Sequence, residues 1–507
     1  MNSSIVFSDI PNDIIYYLHQ LCYEEYKKEL SSLRCVSKVY SIIPNTDGLY
    51  LSQFFHGNNI YKKFQQQNII CDTSIPGTGK SDTSLWIAQV MNYYPLIIHE
   101  NGLGDHWNTV AKRRSCDCTF VTYTRLSLGL TSIIKRDDKG KYSATLNLYE
   151  QFGNRNILLI LDEADNIKNK SGKNKSVDCL INALKYNSNN KILVLSATLL
   201  DKKEHVYNMC KALGFIKSCN VQEGIKDFID SLGLDDKEKE SITNLEKSTP
   251  RKMYNNFVYD LFVKIYKPKM MVAMDIPNYG YNIKLQNSFY NLNDKESHHC
   301  KLYINKIEEG YDKVMKKYDS IEGWNIIHEA YKGLHKVKSD MIIRIAKRIL
   351  DKDILSKVII VHQFTDPLLY TNNELKDYGS HLYYGKSKNR HDIINNFNNN
   401  DKNRVLVANI KVVAKGLSLH DTIGNRKRTM LILPTYYAIL MHQVSHRIYR
   451  RGLRSDASVE YIYCNIFKQE LDILNSLCEK SSVMRDMVHE NVSIVKYPGE
   501  YDKIICS

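Results

Sequence analysis

From about residue 67 the chain repeats one unit, a short apolar run rich in β-branched residues followed by a helical pattern. The first set of runs is "NIICDTS", "PLIIHE", "CTFVTYT", "NILLILDEAD" and "KILVLSAT". The second is "KVIIVHQF", "HLYYG", "RVLVANI", "TMLILP" and "VEYIYC". Runs this apolar leave no face for water, so each must be covered on both sides, and the intervening helices supply the cover. That is the pattern of a parallel sheet. Between the two sets, from about 225 to 335, charged helical segments such as "DDKEKESITNLEKSTPRKMYNNFVYDLFVKIY" interrupt the rhythm. The expected fold class is α/β, with parallel-sheet domains at 46–225 and 336–490, a helical insertion or linker at 226–335 and a tail at 491–507. Residues 1–45 read as short helices, with apolar residues at three- and four-residue spacing and Pro11 behind Asp9 as a helix start.

A length of 507 residues and a hydrophobic fraction of 43% are enough for several cores. The formal net charge of +14 points to a polyanionic partner, because a basic surface attracts phosphates and releases their counterions. Glycine (23) and proline (10) fall below average usage of roughly 7% and 5%. The surplus of Asn, Lys, Ile and Tyr is the bias of an AT-rich genome. The 12 cysteines are scattered, as in a reducing compartment, and the close pair Cys116 and Cys118 has no second pair at a zinc spacing. No stretch has the length of an apolar membrane span, and the N-terminus does not read as a signal peptide. A soluble, intracellular protein without a membrane partner is expected.

The candidate chemistry starts at "SIPGTGKS", residues 74 to 81, between an apolar run and the helical "SLWIAQVMNYY". The phosphate-loop pattern GxxxxGK[ST] is complete here except that Ser74 stands at its first glycine. In the loop Pro76, Gly77, Thr78 and Gly79, the two glycines would let backbone N–H groups approach phosphate oxygens at a helix N-terminus, with Lys80 reaching the terminal phosphates and Ser81 a Mg²⁺ ion. Farther on, "ILLILDEAD" ends a strand in Asp162 and Glu163, at the sheet edge where ligands of open α/β folds bind. There Asp162 would hold Mg²⁺ and Glu163 would orient and deprotonate a water. "LSATLL" ends another strand in Ser196, Ala197 and Thr198. In "HQVSHRIYRRG", Gln443, Arg447 and Arg450 are spaced to line one helical face, and two arginines together can grip a phosphate whose charge is spreading.

In this order, the four elements resemble the superfamily 2 helicases and translocases over about residues 70 to 465. The resemblance implies two RecA-like domains with ATP and Mg²⁺ between them. It assigns catalysis to Lys80, Asp162, Glu163, Gln443, Arg447 and Arg450, and coupling to Ser196, Ala197, Thr198 and Gly416. "DEADNIKNKSGK", "PLIIHENGLGDHWNTVAKR" and "VLVANIKVVAKGLSLHD" are similar to the Swi/Snf and poxvirus-type transcription ATPase branch, which implies duplex DNA as the track. Under that reading His99, Trp107, Tyr123, Arg125, Phe364 and Lys415 are candidate nucleic-acid contacts. "DEAD" in full also invites an RNA helicase reading, against which Ser445 and His446 depart from that branch's H-R-x-G-R-x-x-R. Gln65 to Gln67 lie too close to the strand to serve as an adenine-reading glutamine.

The N-terminal segment resembles an F-box through Ile10, Pro11, Asp13, Ile14, Ile15, Leu18, Leu33, Arg34, Val36, Ser37, Lys38 and Tyr40. This implies a Skp-type adaptor as partner and a ubiquitin-ligase role as the alternative function. A helical hairpin packed on the next domain is the other reading of residues 1–45. The expected location is the nucleus or cytoplasm, or a virion or virus factory if the source is viral.

Overall fold

The computed structural model describes residues 48–506 other than 219, 251–252, 275–279, 316–319, 415, 451, 466–467 and 489–495. The F-box-like residues 1–45 and Lys415 lie outside the described residues. The described strands are β1 (Ile69–Asp72), β2 (Tyr94–His99), β3 (Thr119–Thr122), β4 (Ile134–Arg136), β5 (Tyr142–Ala144), β6 (Ile157–Asp162), β7 (Lys191–Leu195), β8 (Met271–Val272), β9 (Ile283–Tyr290), β10 (Lys357–His362), β11 (Ser380–Tyr383), β12 (Val405–Asn409), β13 (Arg428–Ile432), β14 (Ala457–Cys464) and β15 (Asp502–Cys506). Two parallel sheets result, β3-β2-β6-β7-β1-β8 and β11-β12-β10-β13-β14-β9-β15, while β4 and β5 form a small antiparallel ribbon. Every run read from the sequence as a buried strand falls in one of these two sheets.

Side-chain alternation explains why the runs are so apolar. Along β6, Ile157, Leu159 and Leu161 enter the core on one face, and Leu158 and Ile160 enter the core on the other. Along β10, Val358 and Ile360 face one core and Ile359 and Val361 the opposite one. Each such side chain contributes about 1.5–3 kcal/mol by leaving water, so a polar residue on either face would be costly. The two domains are therefore each three layers deep, helix on sheet on helix.

The segment 226–335 departs from the expected helical insertion. It contributes β8 to the edge of the first sheet and β9 to the second, between β14 and β15. Its first helices belong to the first domain's core, through Phe228, Phe257, Phe262 and Tyr266. Charged residues on the exposed helix faces hid this burial from the sequence. The helix Asp294–Met315 then packs on Ser320–Lys352 as a hairpin against the second sheet. The tail at 491–507 likewise includes β15, an edge strand of the second sheet.

One element joins the two domains. The helix Lys468–Asp486 gives Ile473, Leu474, Leu477 and Met484 to the second domain's core and Val483 to the first's. At its end Tyr259 Oη donates to Asp486 Oδ2 at 2.8 Å. No helix among the described residues is long and apolar enough to cross a membrane.

Candidate active site between the two sheets

The chain turns from β1 into the helix Lys80–Val90 through residues 73–79. Gly77 and Gly79 sit at φ 88° and 92°, where side chains are strained. A Cβ would also displace neighbouring side chains: on Gly79 it would meet Gln53 Nε2 at 1.8 Å, and on Gly77 it would meet Arg450 Cγ at 2.9 Å. Lys80 Nζ donates to the carbonyls of Ser74 (2.7 Å) and Ile75 (3.2 Å). Desolvation in the cleft lowers its pKa, against the attraction of Asp72, Glu163 and Asp162. Thr78 Oγ1 braces the loop on the Ile75 carbonyl at 3.0 Å, Pro76 is buried beneath it, and Ser81 Oγ lies 3.0 Å from His106 Nε2.

Asp162 ends β6 and is separated from the loop-bearing β1 by β7. Its Oδ2 accepts the Trp107 indole N–H at 2.8 Å. Burial, with the neighbouring Glu163 charge, holds its carboxyl above the usual carboxylate range, and the Trp107 bond and Lys80 pull the other way. Glu163 has φ 50°, a left-handed conformation that costs a non-glycine residue about 1 kcal/mol or more. The turn aims its carboxylate across the cleft, where Oε2 accepts from Gln443 Nε2 of the second domain at 3.0 Å.

The second domain brings both arginines to the loop. Arg447 is 3% exposed, its Nη2 donates to the Ala414 carbonyl, and its Nε has no partner among the described residues. Burial brings its pKa down to about 10, opposed by the nearby Glu163. Arg450 lies over Gly77 and donates from Nη1 to Ser418 Oγ at 3.0 Å. Ser196, Ala197 and Thr198 are buried at the end of β7. The Ser196 amide donates to the Asp72 carbonyl at 3.1 Å, and Thr198 Oγ1 has no partner among the described residues. Gly416, at φ 65°, faces Leu103 of the first domain, where a Cβ would come within 2.9 Å.

The structure thus brings together Lys80, Ser81, Asp162, Glu163, Gln443, Arg447 and Arg450. It does not support three of the nucleic-acid contacts. Trp107 and Tyr123 are fully buried and His99 is 3% exposed, because each ring turns into the first domain's core instead of the cleft mouth. Arg125 is exposed, and Phe364 is half-buried edge-on to His328 and His335.

Two residues escaped the sequence reading. The glutamine that touches the loop is Gln53, whose Nε2 donates to the Thr78 carbonyl at 3.0 Å, and not Gln65 to Gln67 beyond the end of the same helix. His56, one turn on, lies 3.0 Å from Asp72 Oδ2 at the loop's base. The i, i+3 pairing of Gln53 and His56 just before β1 was the available signal.

No protein-family model and no curated protein matches the sequence. Among solved structures, the Sulfolobus solfataricus SWI2/SNF2 ATPase core in complex with dsDNA shares 16% identity, covering 88% of this chain and 97% of that one, with TM-score 0.31. The Pyrococcus furiosus Hef helicase domain shares 13% identity over 83% of this chain and 97% of that one, with TM-score 0.36. Both likenesses are distant.

Proposed function

We propose that this chain is a nucleic-acid-dependent ATPase of the superfamily 2 type, a translocase that steps along duplex DNA. The observation that carries the reading is the cleft itself: from the second domain Arg450 lies over the phosphate-type loop, Arg447 lies near Lys80 and Glu163, and Gln443 is in direct contact with Glu163. Neither half is a complete site.

The residues fit a magnesium nucleotide. The buried Nε of Arg447, without a partner among the described residues, and the positive-φ turn at Gly77 and Gly79 beside Arg450 suit a polyanion. Asp162 and Ser81 would hold Mg²⁺, which takes one or two protein oxygens beside phosphates and water. The ion supplies charge neutralisation on the phosphates when bound. Lys80 supplies a mobile positive charge at the loop. Glu163, oriented by Gln443, accepts a proton from the attacking water. Arg447 and Arg450 stabilise the charge that spreads over the transferred phosphoryl group, in a cleft dry enough to make that attraction strong. Because the catalytic set spans both domains, opening and closing of the cleft is tied to chemistry, and that motion is what moves a nucleic-acid track.

The duplex-DNA preference rests on the "DEADNIKNKSGK" and Trp107-helix sequences. The test is ATP hydrolysis without nucleic acid and with duplex DNA, single-stranded DNA or RNA. Duplex DNA should stimulate most; stimulation by RNA alone rejects that preference. Lys80→Ala and Glu163→Gln should each lower kcat by at least about a hundred-fold, and wild-type turnover in either would mean the site is misassigned.

A further inference from the structure

Ser74 is the residue that breaks the general phosphate-loop pattern, and it is 1% exposed. Its hydroxyl donates to Asp72 Oδ1 at 2.5 Å and accepts the Met274 backbone N–H at 2.8 Å, with His56 Nε2 at 3.3 Å. One donor and two acceptor sites are all that a hydroxyl has, and each faces a partner here. Asp72 and His56, at 3.0 Å from one another, are also buried. Met274 follows β8, the last strand of the first sheet, after which the chain crosses to β9 in the second. A glycine at 74 would make none of the hydroxyl contacts.

On its other side, the Ser74 carbonyl accepts from Lys80 Nζ at 2.7 Å. One residue therefore touches the lysine that answers to nucleotide and the backbone that leads to the second domain. We propose that Ser74 is a positioning residue that couples the state of the phosphate loop to the interdomain connection, an inference that rests on the ATPase reading above. Drawing Lys80 onto a phosphate takes it off the Ser74 carbonyl. Ser74 then shifts against Met274, because a buried hydroxyl with every site engaged cannot move without dragging or breaking a bond. The helix Leu51–Phe64 supplies the fixed side of this junction, with His56 at Asp72 and Gln53 on Thr78.

The test compares wild type with Ser74→Gly, which restores the general loop pattern, and with Ser74→Ala and Ser74→Thr. Nucleotide affinity, measured with a fluorescent ATP analogue, should change less than about two-fold in Ser74→Gly, while kcat with saturating duplex DNA falls about ten-fold, the loss expected for one buried hydrogen-bonded group. Ser74→Ala should behave like Ser74→Gly, and Ser74→Thr, which keeps the hydroxyl, should recover part of the rate. In hydrogen exchange, a non-hydrolysable ATP analogue should protect both the loop and residues 271–274 in wild type, but only the loop in Ser74→Gly. Wild-type kcat in Ser74→Gly, or equal protection of 271–274 in both proteins, overturns the coupling role and leaves the ATPase reading intact. A wild-type loop that gains no protection from the analogue rejects the ATPase reading, and the coupling role with it.

Discussion

Trp107 gives its one polar atom to Asp162, and the consequence can be measured. The indole N–H favours the ionised carboxylate, against burial and the Glu163 charge, which favour the protonated form. Trp107→Phe keeps an aromatic ring, though a smaller one, and removes the donor, so the Asp162 pKa should rise further. Metal binding needs the carboxylate ionised, so Mg²⁺ affinity falls as pH drops through that pKa. The acid limb of Mg²⁺ affinity plotted against pH should therefore move to higher pH, with a loss of about 1–3 kcal/mol in stability for the broken buried bond. An unchanged profile would mean that Trp107 is packing alone. The residue also shows where sequence reasoning stops: aromatic residues near strand ends look the same whether they face a track or a core. Trp107, Tyr123 and His99 face inward.

Among elements, the helix Ala438–Ser445 and its C-cap His446 carry Gln443 and lead into the turn that bears Arg447 and Arg450. Burial brings the His446 pKa from 6.5 down to about 4 and holds the fully buried His442 well below its ordinary value. The unfolded chain protonates both near 6.5 while the native state does not. The His446 contribution is thus complete above about pH 6.5 and drains as pH falls toward about 4, at about 1.4 kcal/mol per pH unit, and His442 acts in the same direction. Melting temperature and ATPase activity should decline together over that window, and His446→Asn should flatten the slope. The hairpin of Asp294–Met315 and Ser320–Lys352 makes a different demand. A Cβ on Gly310 would meet the Gly323 carbonyl at 2.9 Å, and one on Gly323 the Gly310 carbonyl at 2.8 Å. Backbone cannot yield as a side chain does, so Gly323→Ala should cost about 1–3 kcal/mol despite alanine's better helix propensity. A lowered unfolding midpoint by circular dichroism, with the ATP site still able to bind nucleotide, is the expected result.

At the scale of the whole molecule, the site exists only because two separately cored domains meet. Gln443→Ala removes the contact to Glu163 without touching the loop. It should lower kcat about ten-fold or more while nucleotide affinity holds, since an interaction made for the transition state acts on turnover. The net charge of +14 bears on the track. On the proposed function, binding to duplex DNA should weaken linearly on a log–log salt plot, with a slope of about −0.9 for each phosphate neutralised, and with little dependence on base sequence. A salt-independent affinity would remove the backbone-tracking mechanism.

The two parallel sheets were legible in the chain because strands buried on both faces must be apolar throughout, and that demand is local. The loop, the Asp162 and Glu163 strand end and the Gln443, Arg447 and Arg450 set were legible for a related reason: phosphate chemistry needs particular residue types at short spacing. The single helical face expected for those three is not formed, because the helix ends at Ser445 and Arg447 and Arg450 lie in the turn beyond it. Position across the cleft has no such local signature. Only the tertiary structure assigned β8 and β9 to different sheets, turned Trp107 inward, set Gln53 and His56 on the loop and placed Arg450 over Gly77. These contacts join residues apart in the chain: packing within the first domain decides those of Trp107, Gln53 and His56, and the meeting of the two domains decides that of Arg450.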